Sequence, residues 1–333
     1  MANPVIIDRP DLSVTVPPTP AGTSGLIPVG YSTSIIQEAV ESSMALASFR
    51  RVNMPNGAQV LPVLDVLPVA KWVTGEPSSG GSQAGKKSVT QQQWKGINLI
   101  AEEIAVIVVI PEAVIEDASI DLWAEVTPRL GEAIGYAIDS AVFAGTNKPA
   151  SWPAAIIPAA TAAGHVATGA GTIPDQTDFN EAMGFVEMDG YMPTDVYSAV
   201  AMRAGFRGWT INGIPVYLSD FRDDGRVDSV YGLQIRYDRT GALGTAANKT
   251  FAVVGDASYA ILGVRTDLQY KVLTEATLDV SAAGDGSELV SLAQQDMVGL
   301  RVRGRFAFAV ANPVTYLQPA SASRYPFAAV KGA

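Results

Sequence analysis

The first third of the chain alternates apolar and polar positions in two long runs. Residues 59–73 and 88–110 both show the period of two that is typical of strands, and a Gly- and Ser-rich stretch separates them. Pro62 and Pro68 exclude the first run from the middle of a sheet, because proline lacks the backbone N–H that a central strand donates. We therefore predict a long two-stranded hairpin over residues 58–98.

The predicted hairpin is too long to be stable by itself. An isolated hairpin is marginal in water, so we expect this one to lie on a neighbouring subunit. Trp72 and Trp94 flank its tip, either as a cross-strand pair or as anchors in a neighbour, because interfaces are rich in tryptophan. The alternation slips by one position near Glu102, which predicts a β-bulge there.

A helical period marks residues 117–144 as the longest helix. Its apolar positions recur every three to four residues and form one stripe. Asp117 or Ser119 can cap the first turn, and Gly145 ends the pattern. Pro128 lies inside it, so we expect either a kink or a separate first turn.

The remaining segments are shorter or less regular. Six prolines in residues 1–31 predict an extended arm, and its apolar residues favour an arm ordered against a neighbour over a disordered tail. Residues 32–47 have helical spacing, whereas 149–174 are uncharged apart from a histidine, rich in proline and glycine, and predict an Ala-rich loop. We expect a helix at 178–188, a hairpin at 209–219, and long strands in the last third.

The composition and the charge indicate a protein that assembles with copies of itself rather than a monomer. The chain has 333 residues, with 23 basic and 33 acidic side chains, a net charge of −10, and only 17% charged residues. Hydrophobic residues make up 48%. A chain this apolar must hide much of its surface, and interfaces between permanently associated copies resemble a core cut in half. We therefore expect a protein that is surrounded by copies of itself.

Missing residue types exclude several kinds of chemistry. There is no cysteine, so disulfides, thiolate nucleophiles and iron–sulfur clusters are excluded. The one histidine, His165, cannot form a multi-histidine metal site, and we expect it to be a solvated loop residue. A negatively charged chain is a poor sequence-independent DNA binder. The sequence therefore predicts no cofactor, no metal and no catalytic residues.

The sequence also predicts no membrane partner. The amino terminus has no basic start, and Asp8, Arg9 and Pro10 interrupt any apolar run, unlike a signal peptide. The most apolar stretch, residues 104–110, is far shorter than the ~20 residues that span a bilayer. We expect synthesis in the cytoplasm.

Several stretches, taken in order along the chain, carry a resemblance to a known family. They are STSIIQEAVESSMALA (32–47), AKWV (70–73), GE (75–76), INLIAEEIAVIVVIPEAVIEDASIDL (97–122), AIDSAVFAGT (137–146), NGIPVYLSD (212–220), FAVVGDASYAILGV (251–264) and QQDMVGLRVRGRFAFAVANPVTYL (294–317). Over residues 30–320 the ordered set resembles the major capsid proteins of tailed bacteriophages, whose fold is named after phage Hong Kong 97.

The resemblance implies an α+β fold with a defined division of the chain. The Hong Kong 97-like capsid fold has an amino-terminal arm, an extended β-hairpin loop, a peripheral domain with a long spine helix and a long β-sheet, and an axial domain. The corresponding segments are the arm 1–31, the first helix and connection 32–57, the extended loop 58–98, the peripheral domain 99–148 and 263–307, and the axial domain 149–262 and 308–333.

The family implies a structural function rather than an enzymatic one. Such a protein assembles as pentamers and hexamers into an icosahedral shell around double-stranded DNA, in the cytoplasm of the host bacterium. Many relatives carry a fused scaffolding region, whereas here the pattern begins near residue 30, so the resemblance implies a separate scaffolding protein or none. A portal and a decoration protein are further expected partners. The alternative is an encapsulin-type compartment that encloses a cargo enzyme, and a hydrolase is disfavoured by the missing cysteine and histidine.

Nine residues are candidates for contacts between subunits. They are Trp72, Glu76, Lys86, Lys87, Trp94, Glu102, Arg301, Arg303 and Arg305. The three arginines alternate with other residues on a strand, so their guanidinium groups share one face and need anionic partners. Glu275, Asp279, Glu102 or a neighbouring subunit can supply these, and an ordinary single-subunit surface is the alternative. Asp139 on the long helix is expected to be a surface or interface charge.

A covalent cross-link between subunits is not predicted. The type member of the family joins subunits through a Lys–Asn isopeptide bond, and here Lys86 and Lys87 lie near the loop tip, with Asn248 and Asn312 as candidate acceptors. Such a bond needs a buried glutamate beside the pair, and most relatives lack it.

Overall fold

The computed structural model describes residues 43–70, 89–118, 121–211, 214–215, 229–238, 241–244, 249–281 and 287–333. The α-helices in these ranges are α1 Met44–Ser48, α2 Glu112–Asp117, α3 Leu122–Asp139, α4 Ile156–Ala163, α5 Gln176–Met188 and α6 Met202–Gly208. The strands are β1 Arg50–Asn53, β2 Ala58–Val66, β3 Gln93–Ile100, β4 Glu102–Pro111, β5 Val166–Thr168, β6 Asp195–Ala199, β7 Thr210–Ile211, β8 Ile214–Pro215, β9 Ser229–Val230, β10 Leu233–Asp238, β11 Thr250–Gly255, β12 Ala260–Leu273, β13 Thr277–Asp279, β14 Leu289–Ser291, β15 Met297–Val310 and β16 Phe327–Lys331. The arm 1–31, most of the predicted helix 32–47 and the hairpin tip lie outside the described residues.

A four-stranded sheet carries the long helix on one face. Its strand order is β1-β12-β15-β4, and all pairs are antiparallel except β1 with β12. Leu130, Ile134 and Ile138 of α3 are buried against Val302 and Phe306 of β15 in the largest core cluster. Their spacing of four residues repeats once per helical turn, so the apolar stripe of the sequence faces this sheet.

The long helix begins later than the sequence predicted. Asp121 caps α3, because its carboxylate accepts hydrogen bonds from the backbone N–H groups of Trp123 and Ala124. The expected cap Asp117 instead ends α2. Pro128 lies inside α3 without dividing it into two helices, and a π-helical turn at Ser140–Ala144 leads to Gly145, whose φ of 80° ends the segment.

Asp139 is buried, which corrects the expectation of a surface charge. Its side chain accepts hydrogen bonds from the hydroxyl of Ser43 and from the backbone N–H groups of Met44 (2.9 Å) and Ala45 (3.1 Å). Burial raises the pKa of the Asp139 carboxyl to about 6, although these hydrogen bonds oppose the rise. Ser43 has φ −50° and ψ 133°, so a continuous helix over 32–47 is wrong at this residue and α1 starts after it.

A six-stranded mixed sheet forms the second layer of the fold. Its strand order is β5-β16-β11-β6-β10-β9. The first four residues of the carboxyl-terminal strand β16 are buried, with Phe327 and Ala329 in the first core cluster and Ala328 and Val330 in a second one. The second cluster also holds Phe179, Phe206 and Trp209, whose rings pack edge to face at 4.9 to 5.3 Å.

Two expectations for this second layer need correction. The predicted loop 149–174 contains α4 and β5, and Pro158 fits because it lies in the first turn of α4, where its missing N–H has no intrahelical partner to lose. His165 is only 5% exposed. Its Nε2 lies 3.3 Å from a carboxylate oxygen of Asp189, and its ring stacks on Phe185 at 5.8 Å.

The other sequence predictions in this layer fare better. The helix predicted over 178–188 is confirmed as α5, which starts at Gln176 behind a capping box of Asp175 and Asp178. The predicted hairpin 209–219 is confirmed in its described part, since β7 pairs with β8. No helix among the described residues is both long and apolar enough to cross a membrane.

Candidate subunit-contact site

The predicted hairpin is confirmed in the part of the chain that the structure describes. Strands β2 and β3 form a separate antiparallel pair, with Val60 opposite Asn98 and Leu64 opposite Trp94. Pro62 lies opposite Gly96 inside this ladder. A two-stranded ladder has only edge strands, so the proline avoids the central position that its missing N–H forbids.

The two faces of the hairpin differ in burial. Leu61, Val63 and Ile97 face inward and pack on a small core cluster that contains Leu99 and Ala307. Two further contacts hold β2 and the residues after it on their own chain: the Val314 N–H donates to the Leu64 carbonyl (3.0 Å), and the Tyr316 hydroxyl donates to the Pro68 carbonyl (3.2 Å). These contacts fix the orientation of the hairpin base relative to the rest of its own subunit.

The outward face of the hairpin is apolar and uncovered. Val60 is 62% exposed and Trp94 is 64% exposed. Both lie on the strand positions that alternate with the buried set, so they point away from the subunit core. We call Val60, Pro62, Leu64 and Trp94 the outer hairpin face. Trp72 lies outside the described residues, so the expected pairing of Trp72 with Trp94 stays a prediction.

Glu102 lies at a joint between two sheets rather than in a bulge. The chain leaves the ladder with β2 at Ile100 and joins the ladder with β15 at Glu102. Ala101 between them donates its N–H to the Gly57 carbonyl at 2.8 Å. The predicted bulge is therefore wrong, because the slip in alternation marks a change of partner strand.

Glu102 braces the base of the hairpin within its own subunit. Its carboxylate accepts a hydrogen bond from the Ser151 hydroxyl at 2.6 Å, and the neighbouring Trp152 indole donates to the Ile100 carbonyl at 3.1 Å. Glu102 and Trp152 also line a cavity of about 310 Å³ between β4 and the end of the long helix. The Glu102 carboxylate is therefore hydrogen-bonded to Ser151 and is not the anionic partner of the three arginines.

The three arginines share one face of β15, as the alternation predicted. Arg305 lies opposite Glu103, whose carboxylate is 3.9 Å from the Arg305 Nε, and Arg303 donates to the side-chain oxygen of Gln269 at 3.3 Å. Arg301 lies opposite Lys271. The expected acid Glu102 is thus replaced by Glu103, because neighbouring residues of a strand point to opposite faces.

The other expected acids do not reach the arginines. Asp279 accepts a hydrogen bond from the Ser281 N–H at 3.0 Å, and Glu275 is exposed in the turn after β12. Glu76, Lys86 and Lys87 lie outside the described residues. The structure therefore places the described candidates at three locations: Trp94 on the outer hairpin face, Glu102 at the joint between the hairpin and β4, and the three arginines on the uncovered face of the four-stranded sheet.

The hydrogen bonds of Asn312 decide whether its side chain is available for an isopeptide bond. Its side-chain amide donates to the Arg324 carbonyl at 2.6 Å, and its oxygen accepts from the Arg324 Nε and the Tyr191 hydroxyl, both at 2.9 Å. An amide held in this way is not presented to a lysine of another chain. Asn248 lies outside the described residues.

Sequence analysis missed the buried polar groups. Arg324 is 1% exposed and donates to the carbonyl oxygens of Asn312, Gln318 and Pro319. Its partners are backbone carbonyl oxygens that the fold brings together, so no pattern of residue types in the sequence predicts them. Within the described ranges, no three His, Cys, Asp or Glu side chains cluster in a way that could hold a metal ion.

Comparisons with known proteins agree with the architecture. The phage capsid family profile matches residues 23–315. A solved structure from Microbacterium phage Oxtober96 is 36% identical and superposes with a TM-score of 0.78, covering 92% of this chain and 97% of its own. One from Mycobacterium phage Adephagia is 33% identical, with a TM-score of 0.77 and coverages of 92% and 95%.

More distant likeness extends only to the fold. A structure described as the capsid of a native GTA particle is 13% identical, with a TM-score of 0.59 and coverages of 92% and 95%. A search among curated proteins gives no significant match. The family match gives the encapsulin alternative no support.

Fold, family match and identity to phage structures over nearly the whole chain agree with the architecture implied by the ordered sequence stretches. The chain therefore belongs to the phage capsid family, and it is a structural major capsid protein with the Hong Kong 97-like fold that self-assembles into the shell of the virion.

Proposed function

We propose that this protein forms pentamers and hexamers of a closed icosahedral shell around double-stranded DNA, and that the outer hairpin face is covered by a neighbouring subunit. The observation that carries the second part is the exposure of Trp94 and Val60 on a strand pair whose other face is buried. Large apolar side chains that cluster on one exposed face mark interaction surfaces more often than scattered ones do. Tryptophan in such a place is a frequent centre of binding energy.

The same proposal divides the chain into the segments implied by the family. The four-stranded sheet with α3 corresponds to the peripheral domain, 99–148 and 263–307, although β12 and β15 extend a few residues past those bounds. The six-stranded sheet with α4, α5 and α6 corresponds to the axial domain, 149–262 and 308–333. The arm 1–31 and the tip of the extended loop 58–98 supply further overlap, with Trp72, Glu76, Lys86 and Lys87 as contact candidates.

Further partners follow from the role in a shell. The proposal includes a separate scaffolding protein, a portal, an optional decoration protein, and assembly in the host cytoplasm. The net charge of −10 suits a wall that does not trap the incoming genome, since it repels phosphate. The protein encloses DNA without sequence-specific contacts in this proposal.

The test is electron microscopy of the expressed protein, alone and with its scaffolding partner. Closed shells are expected from the wild-type chain. Trp94→Ser should reduce the yield of shells while the subunit stays folded, because it removes an apolar anchor from the interface. Met192→Ser is the matched control, since Met192 is 80% exposed and lies outside the two hairpin strands. Only small soluble particles from the wild-type chain in both conditions would refute the proposal.

A further inference from the structure

The uncovered face of the four-stranded sheet carries positive charges that oppose one another. Lys271 and Arg301 are direct cross-strand partners in the antiparallel pair of β12 and β15. Side chains at such positions have Cβ atoms about 4.5–5.5 Å apart, and like charges there are destabilising. Arg303 lies on the same face, about 6.8 Å further along the strand. We call Lys271, Arg301 and Arg303 the cationic cluster.

The cationic cluster lacks counter-charges within the described part of its own subunit. Arg303 is met by the neutral Gln269, and the Arg301 Nε is buried without a hydrogen-bond acceptor among the described residues. Glu103, a described acid on this face, lies beside Arg305, 3.9 Å from its Nε. A buried donor without an acceptor is unfavourable, so this arrangement favours a bound anion.

The shape of the cluster allows such an anion to enter. Its side chains line an open depression of about 470 Å³ together with Gln269 and Tyr270. Ile107, opposite Arg301 on β4, is 41% exposed, so the depression is open on the β4 side as well. Guanidinium groups bind carboxylates with two parallel hydrogen bonds, which makes a carboxylate pair a fitting occupant.

A second surface of the same chain carries the complementary charge. Residues 112–121 include Glu112, Glu116, Asp117 and Asp121 and no basic residue. Glu112, Glu116 and Asp117 are exposed on α2, and none of them forms an ion pair with another described residue. Glu112 and Glu116 are one helical turn apart, so their Cβ atoms are about 5–6 Å from each other.

We propose that Glu112 and Glu116 of one copy bind Arg301 and Arg303 of the next copy, with Lys271 completing the anion site. This contact rests on the proposed function, since the second copy is a neighbour in the shell. The Cβ atoms of the two glutamates are about 5–6 Å apart, close to the ~6.8 Å between alternate residues of the strand that carries the two arginines. The acidic helix follows the end of β4, whereas the cationic cluster lies further along β15, so the contact is head to tail. Head-to-tail contacts close into rings when the rotation between copies permits.

Two charge-reversed variants test this pairing. Arg301→Glu/Arg303→Glu makes both surfaces acidic, and Glu112→Arg/Glu116→Arg makes both surfaces basic. Each variant alone should need at least about tenfold more protein than wild type to form oligomers, because like charges then meet at the contact. The quadruple variant that carries all four changes in one chain should regain wild-type association, since each surface then meets its opposite in every copy and in rings of five as well as six. Sedimentation velocity and electron microscopy measure both effects.

Controls separate this contact from loss of folding and from a general charge effect. Circular dichroism should show a cooperative thermal transition for every variant. Arg50→Glu/Arg207→Glu changes the net charge by the same amount as the arginine variant at exposed positions on β1 and α6, and it should assemble like wild type.

The outcomes decide between the contact and its rivals. Folded double variants that each assemble like wild type, or a folded quadruple variant that does not regain assembly, would overturn the contact while the proposed shell function stands. Arginine-reversed subunits that assemble normally but lose binding to a double-stranded DNA oligonucleotide would overturn it in favour of a nucleic-acid surface. A wild-type chain that never assembles contradicts the proposed function itself, and the contact fails with it.

Discussion

The six-stranded and four-stranded sheets bury their faces in different ways. Strand β16 of the first sheet contributes Phe327 to one core cluster and Val330 to the other, so the chain covers both faces by itself. The second sheet packs α3 on one face, whereas its other face combines the inward side of the hairpin with the exposed Lys271 and the half-buried Arg301. One layer is complete within the subunit, and the other presents surfaces that a second copy would complete.

The buried charged side chains of the two layers also differ in their partners. In the six-stranded layer, Arg324 and Asp189 are buried and meet several partners of their own chain. In the four-stranded layer, the Nε atoms of Arg301 and Arg305 are buried without a hydrogen-bond acceptor among the described residues. The Nδ1 of His165 and the hydroxyl of Tyr325 in the six-stranded layer also lack a described partner, so the contrast rests on burial. The layer whose two faces are both covered should control folding, whereas the layer with an uncovered face should control assembly. The predictions below test that separation, in order of expected effect on subunit stability.

The largest effect is expected for Phe327→Ala in the six-stranded sheet. Phe327 is fully buried between Tyr325 and the strand β11, so truncation leaves a cavity. We expect a loss of about 3–5 kcal/mol in the free energy of unfolding, measured by urea denaturation. Phe327→Leu is the control and should cost clearly less. A loss below about 1 kcal/mol for the alanine variant would show that this layer is not the stable core.

The next effect is a pH dependence that arises from Asp139. Its pKa in the folded chain, about 6, lies above its ordinary value of 3.8, so the folded state holds this proton more tightly than the unfolded state does. Stability from this group is therefore complete below pH 4 and falls by about 3 kcal/mol as the pH rises past 6.

The measurement for Asp139 is a difference between two proteins. Urea denaturation of wild type and Asp139→Asn from pH 4 to 7 cancels the contribution of the other carboxylates. The wild-type free energy of unfolding should fall relative to the variant as the pH rises. A difference that stays constant across this range would refute the raised pKa.

A smaller loss is expected when the buried Arg324 is replaced. Arg324→Lys keeps the charge but loses the planar fork, so the carbonyl oxygens of Asn312, Gln318 and Pro319 cannot all keep their donor. We expect a loss of about 2 kcal/mol by thermal denaturation, with assembly of the folded fraction unchanged. Full stability in this variant would mean that water replaces the guanidinium group without cost.

The smallest effect on stability is expected at the outer hairpin face. Trp94→Ala should change the free energy of unfolding by no more than about 0.5 kcal/mol, because the side chain is 64% exposed in the subunit. The same variant should nevertheless reduce the yield of shells. Equal effects on folding and on assembly would remove the contrast between the two layers.

Sequence alone predicted the elements with a regular period. Two alternating runs with Pro62 gave the hairpin, and the apolar stripe of α3 gave the face that packs on the four-stranded sheet. It could not identify Glu103 as the acid beside Arg305, because a one-residue change of register moves a side chain to the other face of a strand.

Long-range polar contacts were also beyond the sequence. Asp139 accepts a hydrogen bond from the hydroxyl of Ser43, which is 96 residues away in the chain. His165 and Asp189, which form a close pair, follow the ends of two different helices, α4 and α5. The helix α4 was missed because its alanines and Pro158 carry little amphipathic pattern, and packing between both neighbouring layers overrides that weak preference.

The central claim is that the outer hairpin face is an interface between copies of this chain. A cryo-electron microscopy reconstruction of the assembled shell tests it most directly. The account predicts that Trp94 and Val60, more than half exposed in the subunit, are buried against a neighbouring subunit in the shell. A closed shell in which both side chains remain open to solvent would contradict it.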